Sequence, residues 1–334
     1  MTEKEFENAL LRGQGRCLSA VMENPLKFSD IVLNACKSEI SFDAQSEGTR
    51  SLYMCEIIKC YPDPSPFIGA AADSLKSAKS DGRWLILYLA ELLGFFAADG
   101  CETARNALWD KYGGLYGELL NTDNPPEGCF NALGDFESLA LVLFGESKSF
   151  YKIAEDIGRV YREKSFIGGG DFAWLWISKG KKRLRGLESR AKKSENIAAY
   201  LRASLEEERA EEELINSAQK SKLASPAPER KVKLQEDVGL LIEKAKSVPV
   251  CFDDTTGWHG IFLSVIEAES KGAKVPAEVL RYIYENNYCS FCRESVLRLM
   301  SKRGLVTREI LEECGLDCNY DIRRFAKSKL KKIK

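Results

Sequence analysis

The chain has 334 residues, 44% of them hydrophobic and 10% aromatic, which is enough apolar material for one large core or two smaller ones and excludes a globally disordered protein. Its 49 basic and 50 acidic side chains leave a formal net charge of −1, which excludes a protein whose whole surface is basic for binding nucleic acid. A single histidine, His259, excludes metal sites that need two or more imidazoles.

Helical periodicity recurs along the chain, with apolar residues at i, i+3, i+4 and i+7, whereas strand signals are nearly absent. All ten prolines fall where the helical pattern breaks. We therefore predict an all-α protein. The predicted helices cover residues 4–22, 27–40, 49–60, 67–78, 83–98, 102–121, 129–144, 149–161, 171–178, 181–219, 234–246, 258–271, 276–286, 290–303, 307–314 and 317–331.

The predicted helix 83–98 contains the longest apolar stretch of the chain. Glu91 interrupts it and it is too short to span a bilayer, so we interpret it as a core helix. Residues 1–7 carry three acids and one lysine, unlike the start of a signal peptide. The eleven cysteines are odd in number and lie mostly in apolar runs, as reduced thiols do. These features predict a cytoplasmic protein without a membrane segment.

A change of composition marks a predicted domain boundary. Residues 217–233 (SAQKSKLASPAPERKVK) contain two prolines and almost no large apolar residue, which is typical of a linker. We therefore predict an N-terminal helical-repeat domain over residues 1–216, ending in a long charged helix, and a C-terminal repeat domain over residues 234–334. Residues 1–178 carry 17 basic and 26 acidic side chains, so we expect the N-terminal surface to be acidic.

Two stretches of the predicted C-terminal domain repeat with an offset of 30 residues, since residues 291–300 align with residues 321–330. In both, an apolar residue is followed by arginine, as Cys292-Arg293 and Ile322-Arg323, and then by apolar residues at helical spacing. Each stretch follows a shorter predicted helix. A unit of two helices buries its apolar faces by stacking on neighbouring units, which builds a solenoid.

These C-terminal units resemble HEAT repeats, which are helix hairpins with an aliphatic-arginine step in the second helix. Residues 43–50 (DAQSEGTR) and 97–108 (AADGCETARNAL) are similar to segments of bacterial HEAT-repeat domain proteins. The resemblance implies a HEAT-like α-α superhelix, that is, an α-solenoid of antiparallel hairpins. It implies a scaffold and no particular reaction.

Non-catalytic protein–protein recognition is the favoured function, because stacked hairpins present an extended surface and no group of residues has the spacing that catalysis requires. We expect no catalytic residue, no cofactor and no metal ion. The polar turn that contains Asp43, Gln45, Glu47 and Arg50 is the candidate partner-binding site, since inter-helix turns line one edge of a solenoid. Helix capping and a turn salt bridge explain the same residues without a partner.

Nucleic-acid binding is the alternative function. Some HEAT-like proteins resemble DNA glycosylases in architecture, so this alternative includes a reaction on a DNA base. It would use two basic clusters, at residues 179–193 and 323–334. Solvated helix faces and the macrodipole at a helix C-terminus explain both clusters without nucleic acid. The residues that would then face one groove are Lys181, Arg183, Arg185, Arg323 and Arg324.

Four cysteines, Cys289, Cys292, Cys314 and Cys318, approach the spacing of a structural zinc site. They also fall on the apolar stripes of the predicted helices, where a free cysteine packs as a small hydrophobic residue. We favour burial in the core, with zinc binding as the alternative.

Two further motifs have weaker chemical interpretations. His259 lies near Cys251, Asp253 and Asp254, so a nucleophilic Cys–His pair is one interpretation, and packing at a helix start is the favoured one. Residues 168–171 (GGGD) precede a predicted helix, where backbone N–H groups can hold phosphate. The lysine of a P-loop is missing, so we interpret this glycine run as a joint whose aspartate caps the helix.

Overall fold

The computed structural model describes residues 1–41, 48–79, 82–122, 147–164, 181–203 and 275–333, together with residues 262–263, 265–266, 268–269 and 272. Within these ranges the regular structure is helical and contains no strand, which confirms the all-α prediction. The chain divides into two compact units. Unit 1 comprises Met1–Pro64 and Glu229–Lys334, and unit 2 comprises Ser65–Pro228.

A 3₁₀ turn (Pro25–Phe28) precedes the third helix of the chain. In chain order the helices are α1 (Glu3–Leu11), α2 (Gly15–Glu23), α3 (Ser29–Ala35), α4 (Ser51–Ile58), α5 (Ser65–Ser77), α6 (Arg83–Ala98), α7 (Glu102–Asn121), α8 (Ser147–Lys164), α9 (Lys181–Ala191), α10 (Ala277–Asn286), α11 (Ser290–Lys302), α12 (Arg308–Cys314) and α13 (Tyr320–Ile333). Residues 195–203 are also helical.

The compact units divide the chain differently from the sequence-based prediction, which kept residues 1–216 in one domain. In the structure the first 64 residues belong with the C-terminal segment. α2 packs against α12, although nearly the whole sequence separates these two helices. Local composition carries no sign of such a contact. The predicted linker, residues 217–233, lies outside the described residues.

Two long helices of the prediction are broken. The predicted helix 4–22 is two helices, α1 and α2, because Gly13 adopts a left-handed backbone conformation with φ of 66° between them. The predicted charged helix 181–219 ends first at Ala191, and a new helix begins after Ser194, whose hydroxyl accepts a hydrogen bond from the Ile197 backbone N–H at 3.2 Å.

A core cluster of unit 1 surrounds the helix pairs α10–α11 and α12–α13, and the helices of each pair pack against each other. The apolar stripe of α11 contains Cys292, Val296 and Met300, which are all buried. Leu11 of α1 packs against the same cluster. The core therefore takes apolar side chains from both ends of the chain.

Unit 2 is built around α6. Most of its surface is buried, including Ile86, Leu89, Leu92 and Phe96, while Leu87, Glu91 and Phe95 form a partly exposed stripe. α5, α6 and α7 pack against one another pairwise, and α8 packs against α7. Gly158 of α8 allows the helix of residues 195–203 to approach closely, since a Cβ there would lie 1.9 Å from the carbonyl oxygen of Asn196.

Candidate functional site

The turn between α1 and α2 is held by hydrogen bonds to four successive carbonyl oxygens. The carbonyls of Leu11 and Arg12 accept from the guanidinium groups of Arg50 and Arg293. The next two, at positions 13 and 14, accept from the Cys318 backbone N–H at 2.8 Å and from the Tyr53 hydroxyl at 2.6 Å. The four donors lie on three segments of unit 1, the start of α4, α11 and the turn before α13, so this turn is fixed from several directions.

A second run of four carbonyls, at the end of α10 and just after it, is satisfied in the same way. The Gln14 amide donates to the carbonyl of Glu285 at 2.8 Å, and Arg12 donates to that of Asn286 at 3.2 Å. Arg293 donates to the carbonyl at position 287 at 3.4 Å, and Arg50 to that at position 288 at 2.9 Å. The last carbonyls of a helix have no partner inside it, so these side chains supply what the helix end lacks.

Arg12, Arg50 and Arg293 therefore form an arginine cluster between the two carbonyl runs. Arg293 is fully buried and binds both carboxylate oxygens of Asp317 at 2.9 Å. Burial opposes the charged guanidinium, but the Asp317 carboxylate outweighs it and raises the pKa of Arg293. A buried charge is tolerated only with such a partner, so Asp317 is required for the arginine cluster to be stable.

Two arginines of the cluster and Asp317 lie near the first residues of three helices of unit 1. Arg50 directly precedes α4, Arg293 lies in the first turn of α11, and Asp317 shortly precedes α13. The first residues of these three helices line one cavity of about 280 Å³. The cavity is thus assembled from segments near both ends of the chain.

Three large apolar side chains at the cavity are exposed to solvent. Leu52 of α4, Phe291 of α11 and Tyr320 of α13 have 51%, 46% and 73% of their surface exposed. They are three of the seven large hydrophobic residues that are exposed in the described part of the chain. We call them the apolar triad. Exposed apolar side chains grouped at a cavity are typical of a binding surface.

The polar groups of the cavity are engaged with one another. The side-chain amide nitrogen of Asn319 donates to the Ser290 hydroxyl at 3.2 Å. Its side-chain oxygen caps α13 by accepting from the Asp321 backbone N–H at 2.8 Å. The hydroxyls of Thr49 and Ser51 are 2.9 Å apart. These bonds hold the rim of the cavity in one arrangement, while the apolar triad remains open to solvent.

A basic groove of about 740 Å³ continues from the cavity along α13. We call it the α13 groove; it is lined by Gly315, Tyr320, Arg323, Arg324, Lys327, Leu330 and Lys331. Tyr320 lines both the cavity and the groove. Arg323 makes a two-point ion pair with Glu56, at 2.8 and 2.6 Å, so its charge is already compensated. Arg324 is exposed and pairs with Asp321 at 2.7 Å.

Of the four residues predicted to bind a partner, Arg50 alone lies in the described part of the chain. It lines the cavity, but it is 4% exposed and its guanidinium group is directed to backbone carbonyls. Its role in the structure is to hold the cavity together. Asp43, Gln45 and Glu47 lie outside the described residues.

The residues of the nucleic-acid alternative belong to different compact units. Arg323 and Arg324 lie in unit 1, whereas α9 lies in unit 2, where Arg185 is exposed. The side chains of Lys181 and Arg183 lie outside the described part. The first cluster also has a structural contact, because the guanidinium of Arg190 lies 3.5 Å from the centre of the Tyr151 ring.

Three of the four cysteines with zinc-like spacing are buried in the core of unit 1, as their position on the apolar stripes predicts. Cys289 and Cys292 are 3% and 5% exposed, and the Cys314 thiol lies 3.0 Å from the Tyr284 hydroxyl. Burial raises the pKa of Cys314 to about 12, so its thiol is protonated at neutral pH. Cys318 is partly exposed at the cavity. Among the described residues, no group of three or more His, Cys, Asp and Glu side chains is arranged to hold a metal ion.

The remaining motifs of the sequence lie outside the described residues. These are His259 with its neighbours Cys251, Asp253 and Asp254, and the glycine run 168–171. No described helix combines the length and the apolar character that crossing a bilayer requires.

Comparison with known proteins found no matching family model, no matching curated protein and no matching solved structure. The arrangement of unit 1 is therefore the basis for any statement about function.

The apolar triad escaped the sequence analysis. Leu52, Phe291 and Tyr320 each occur within apolar periodic segments, where a large hydrophobic residue is expected to be buried. A signal was present in their position, since each is one of the first two residues of its helix. Three such residues identify a surface only when the fold brings the three helix starts together.

Proposed function

We propose that the protein is a non-catalytic helical scaffold that binds another protein, with the apolar triad as its central contact. The two packed helix pairs of unit 1 and the arginine step of α11 and α13 support an architecture of HEAT-like hairpins in an α-solenoid. In such an architecture the ends of the hairpins and the surface beside them are the natural contact regions.

The single observation that carries this proposal is the exposure of Leu52, Phe291 and Tyr320 around one cavity. Burying a large apolar side chain in a partner's surface contributes about 1.5–3 kcal/mol. Aromatic residues at the centre of an interface contribute a large part of its affinity. The rim is held by internal hydrogen bonds, so the cavity does not have to rearrange before it binds.

Protein recognition is favoured over nucleic-acid binding because of how the cations of unit 1 are used. Arg50 and Arg293 are directed to backbone carbonyls and Asp317, and Arg323 is paired with Glu56. The two cations of unit 1 that the nucleic-acid alternative names, Arg323 and Arg324, thus already have carboxylate partners, Glu56 and Asp321. Bases stack on aromatic rings, whereas the aliphatic Leu52 beside Phe291 and Tyr320 is better matched by an apolar protein side chain.

The test is a selection of random 16-residue peptides, displayed on phage, against the full chain. We expect the selected peptides to bind wild type and to lose about tenfold in affinity for each of L52S and F291S. The matched control is L26S, which also replaces an exposed leucine of unit 1 but one that does not line the cavity. A selection that yields no binding peptide contradicts the proposal, as do peptides that bind L52S and F291S as tightly as wild type.

A further inference from the structure

The cavity and the α13 groove meet at Tyr320, which lines both. The apolar triad lies at one end, and Leu330 lies in the groove ten residues further along α13. With a rise of 1.5 Å per residue, the helix between Tyr320 and Leu330 is about 15 Å long. A partner segment of about five extended residues covers that length.

Three exposed cations line the groove, two of them between Tyr320 and Leu330 and the third directly after Leu330. Arg324, Lys327 and Lys331 lie at i, i+3 and i+7, so they share one face of α13. Their carboxylate neighbour on the helix is Asp321, which pairs with Arg324. The face is therefore positively charged, although the chain as a whole is nearly neutral.

The charge of the groove indicates the charge of its occupant. Carboxylates bound along Lys327 and Lys331 would offset the repulsion between these neighbouring cations. Complementary charges also speed association and select partners. A nucleic acid would satisfy the same cations, and its bases would stack on the rings of Phe291 and Tyr320, but the aliphatic Leu52 side chain favours an apolar protein side chain in the cavity. A protein segment supplies both carboxylates and an apolar side chain.

We propose that the partner is an acidic protein segment whose large apolar residue contacts the apolar triad while its carboxylates lie along Arg324, Lys327 and Lys331. This inference rests on the proposed function, because it names the chemistry of the partner that the apolar triad binds. The cavity provides the apolar contact, and the α13 groove distinguishes acidic segments from other apolar ones.

The experiment compares K331E with K332E, using the peptides selected against wild type. The two lysines are neighbours near the end of the same helix, but Lys331 lines the groove and Lys332 does not. Both changes alter the net charge equally and have similar effects on the helix macrodipole. We expect the peptides to be rich in Asp and Glu, to bind less tightly as NaCl is raised, and to lose about fivefold in affinity for K331E but less than twofold for K332E.

The outcomes separate this inference from the proposed function. If L52S weakens binding but K331E and K332E behave alike, the partner segment is not acidic and the proposed function stands. If neither L52S nor K331E weakens binding, both are overturned. The affinity of a fluorescent 20-nucleotide single-stranded DNA for the same variants tests nucleic acid as the ligand. Binding of that DNA more tightly than any peptide, with loss in K331E, would also overturn the inference.

Discussion

The two compact units of the chain are stabilised by different kinds of contact. In unit 2, most of the surface of α6 is buried and neighbouring helices pack against it, so apolar burial is the main contribution. In unit 1, Arg50 and Arg293 are buried and bind backbone carbonyls of distant segments. Apolar burial has no preferred direction, whereas each of these hydrogen bonds specifies its partner.

This difference between the units corresponds to the sequence separation of the residues that each unit brings together. The bond from Arg50 to the Tyr288 carbonyl joins residues 238 positions apart, whereas the Tyr112–Asp156 bond of unit 2 joins residues 44 apart. Closing a longer loop costs more conformational entropy. Unit 1 thus combines an apolar core with directional bonds that select the correct pairing of its two segments.

Arg293→Ala is expected to have the largest effect, because it leaves the Asp317 carboxylate buried without its partner and removes the donor to the Arg12 carbonyl. Removing one member of a buried ion pair costs about 3–5 kcal/mol. We expect unit 1 to unfold at lower urea concentration while unit 2 is unchanged. Hydrogen exchange measured by mass spectrometry along a urea series reports each unit separately.

Arg298→Ala is the matched control on the same helix. Arg298 pairs with Glu294 at the surface, with about half of its side chain exposed, and such pairs contribute less than about 1 kcal/mol. Equal losses in the two variants would show that the arginine cluster does not stabilise unit 1.

Leu92→Ala is the counterpart in unit 2. Leu92 is fully buried in α6, and removing a buried leucine side chain costs about 2–5 kcal/mol. Exchange should increase in residues 83–121 and remain unchanged in residues 50–58 and 290–300. Simultaneous loosening of all these segments would mean that the two units do not unfold independently.

Gly15→Ala should have a smaller effect that is specific to the joining of the chain ends in unit 1. A Cβ at position 15 would lie 1.9 Å from the backbone carbonyl oxygen of Glu313, so α2 and α12 must separate. We expect a loss of about 1–3 kcal/mol in a urea titration. Gly113→Ala in α7 is the control, because nothing lies within 4 Å of the added atom and the change should stabilise the helix by about 0.5–1 kcal/mol.

High pH should weaken unit 1 through its buried thiols. Burial raises the pKa of Cys36 and of Cys314 from 9.0 to about 12. The unfolded chain therefore ionises first, so stability is complete below about pH 9 and is lost as pH rises towards 12. Each thiol contributes up to about 1.4 kcal/mol per pH unit. Urea midpoints at pH 8, 9 and 10 should fall less steeply in C36A and C314A, and an unchanged slope would contradict this assignment.

The sequence predicted α6 and α7 of unit 2 best. The observed bounds of α6 and α7, Arg83–Ala98 and Glu102–Asn121, are those predicted, because Gly82 and Gly100 beside their ends are local signals. The break at Gly13 was missed, since a glycine inside a continuous apolar pattern does not show that its φ is positive. The joining of residues 1–64 to the C-terminal segment depends on tertiary contacts and has no local signal.

The arginine step of the repeats was a partial guide to the site. Cys292-Arg293 and Ile322-Arg323 stood out in the sequence, and both arginines bind Asp317 in the structure, Arg293 through its carboxylate and Arg323 through its backbone carbonyl. The sequence alone assigned Arg323 to a possible phosphate contact, because its partner Glu56 is 267 positions away. Charge is visible in a sequence, but whether that charge is already paired is not.

Native-state hydrogen exchange on the wild-type chain, in low concentrations of urea, tests the central claim that segments near both ends of the chain form one unit and build its surface. The account predicts that residues 50–58 and 290–300 open with the same free energy and the same dependence on urea, while residues 86–97 open separately. Residues 50–58 opening together with 86–97, and independently of 290–300, would contradict it.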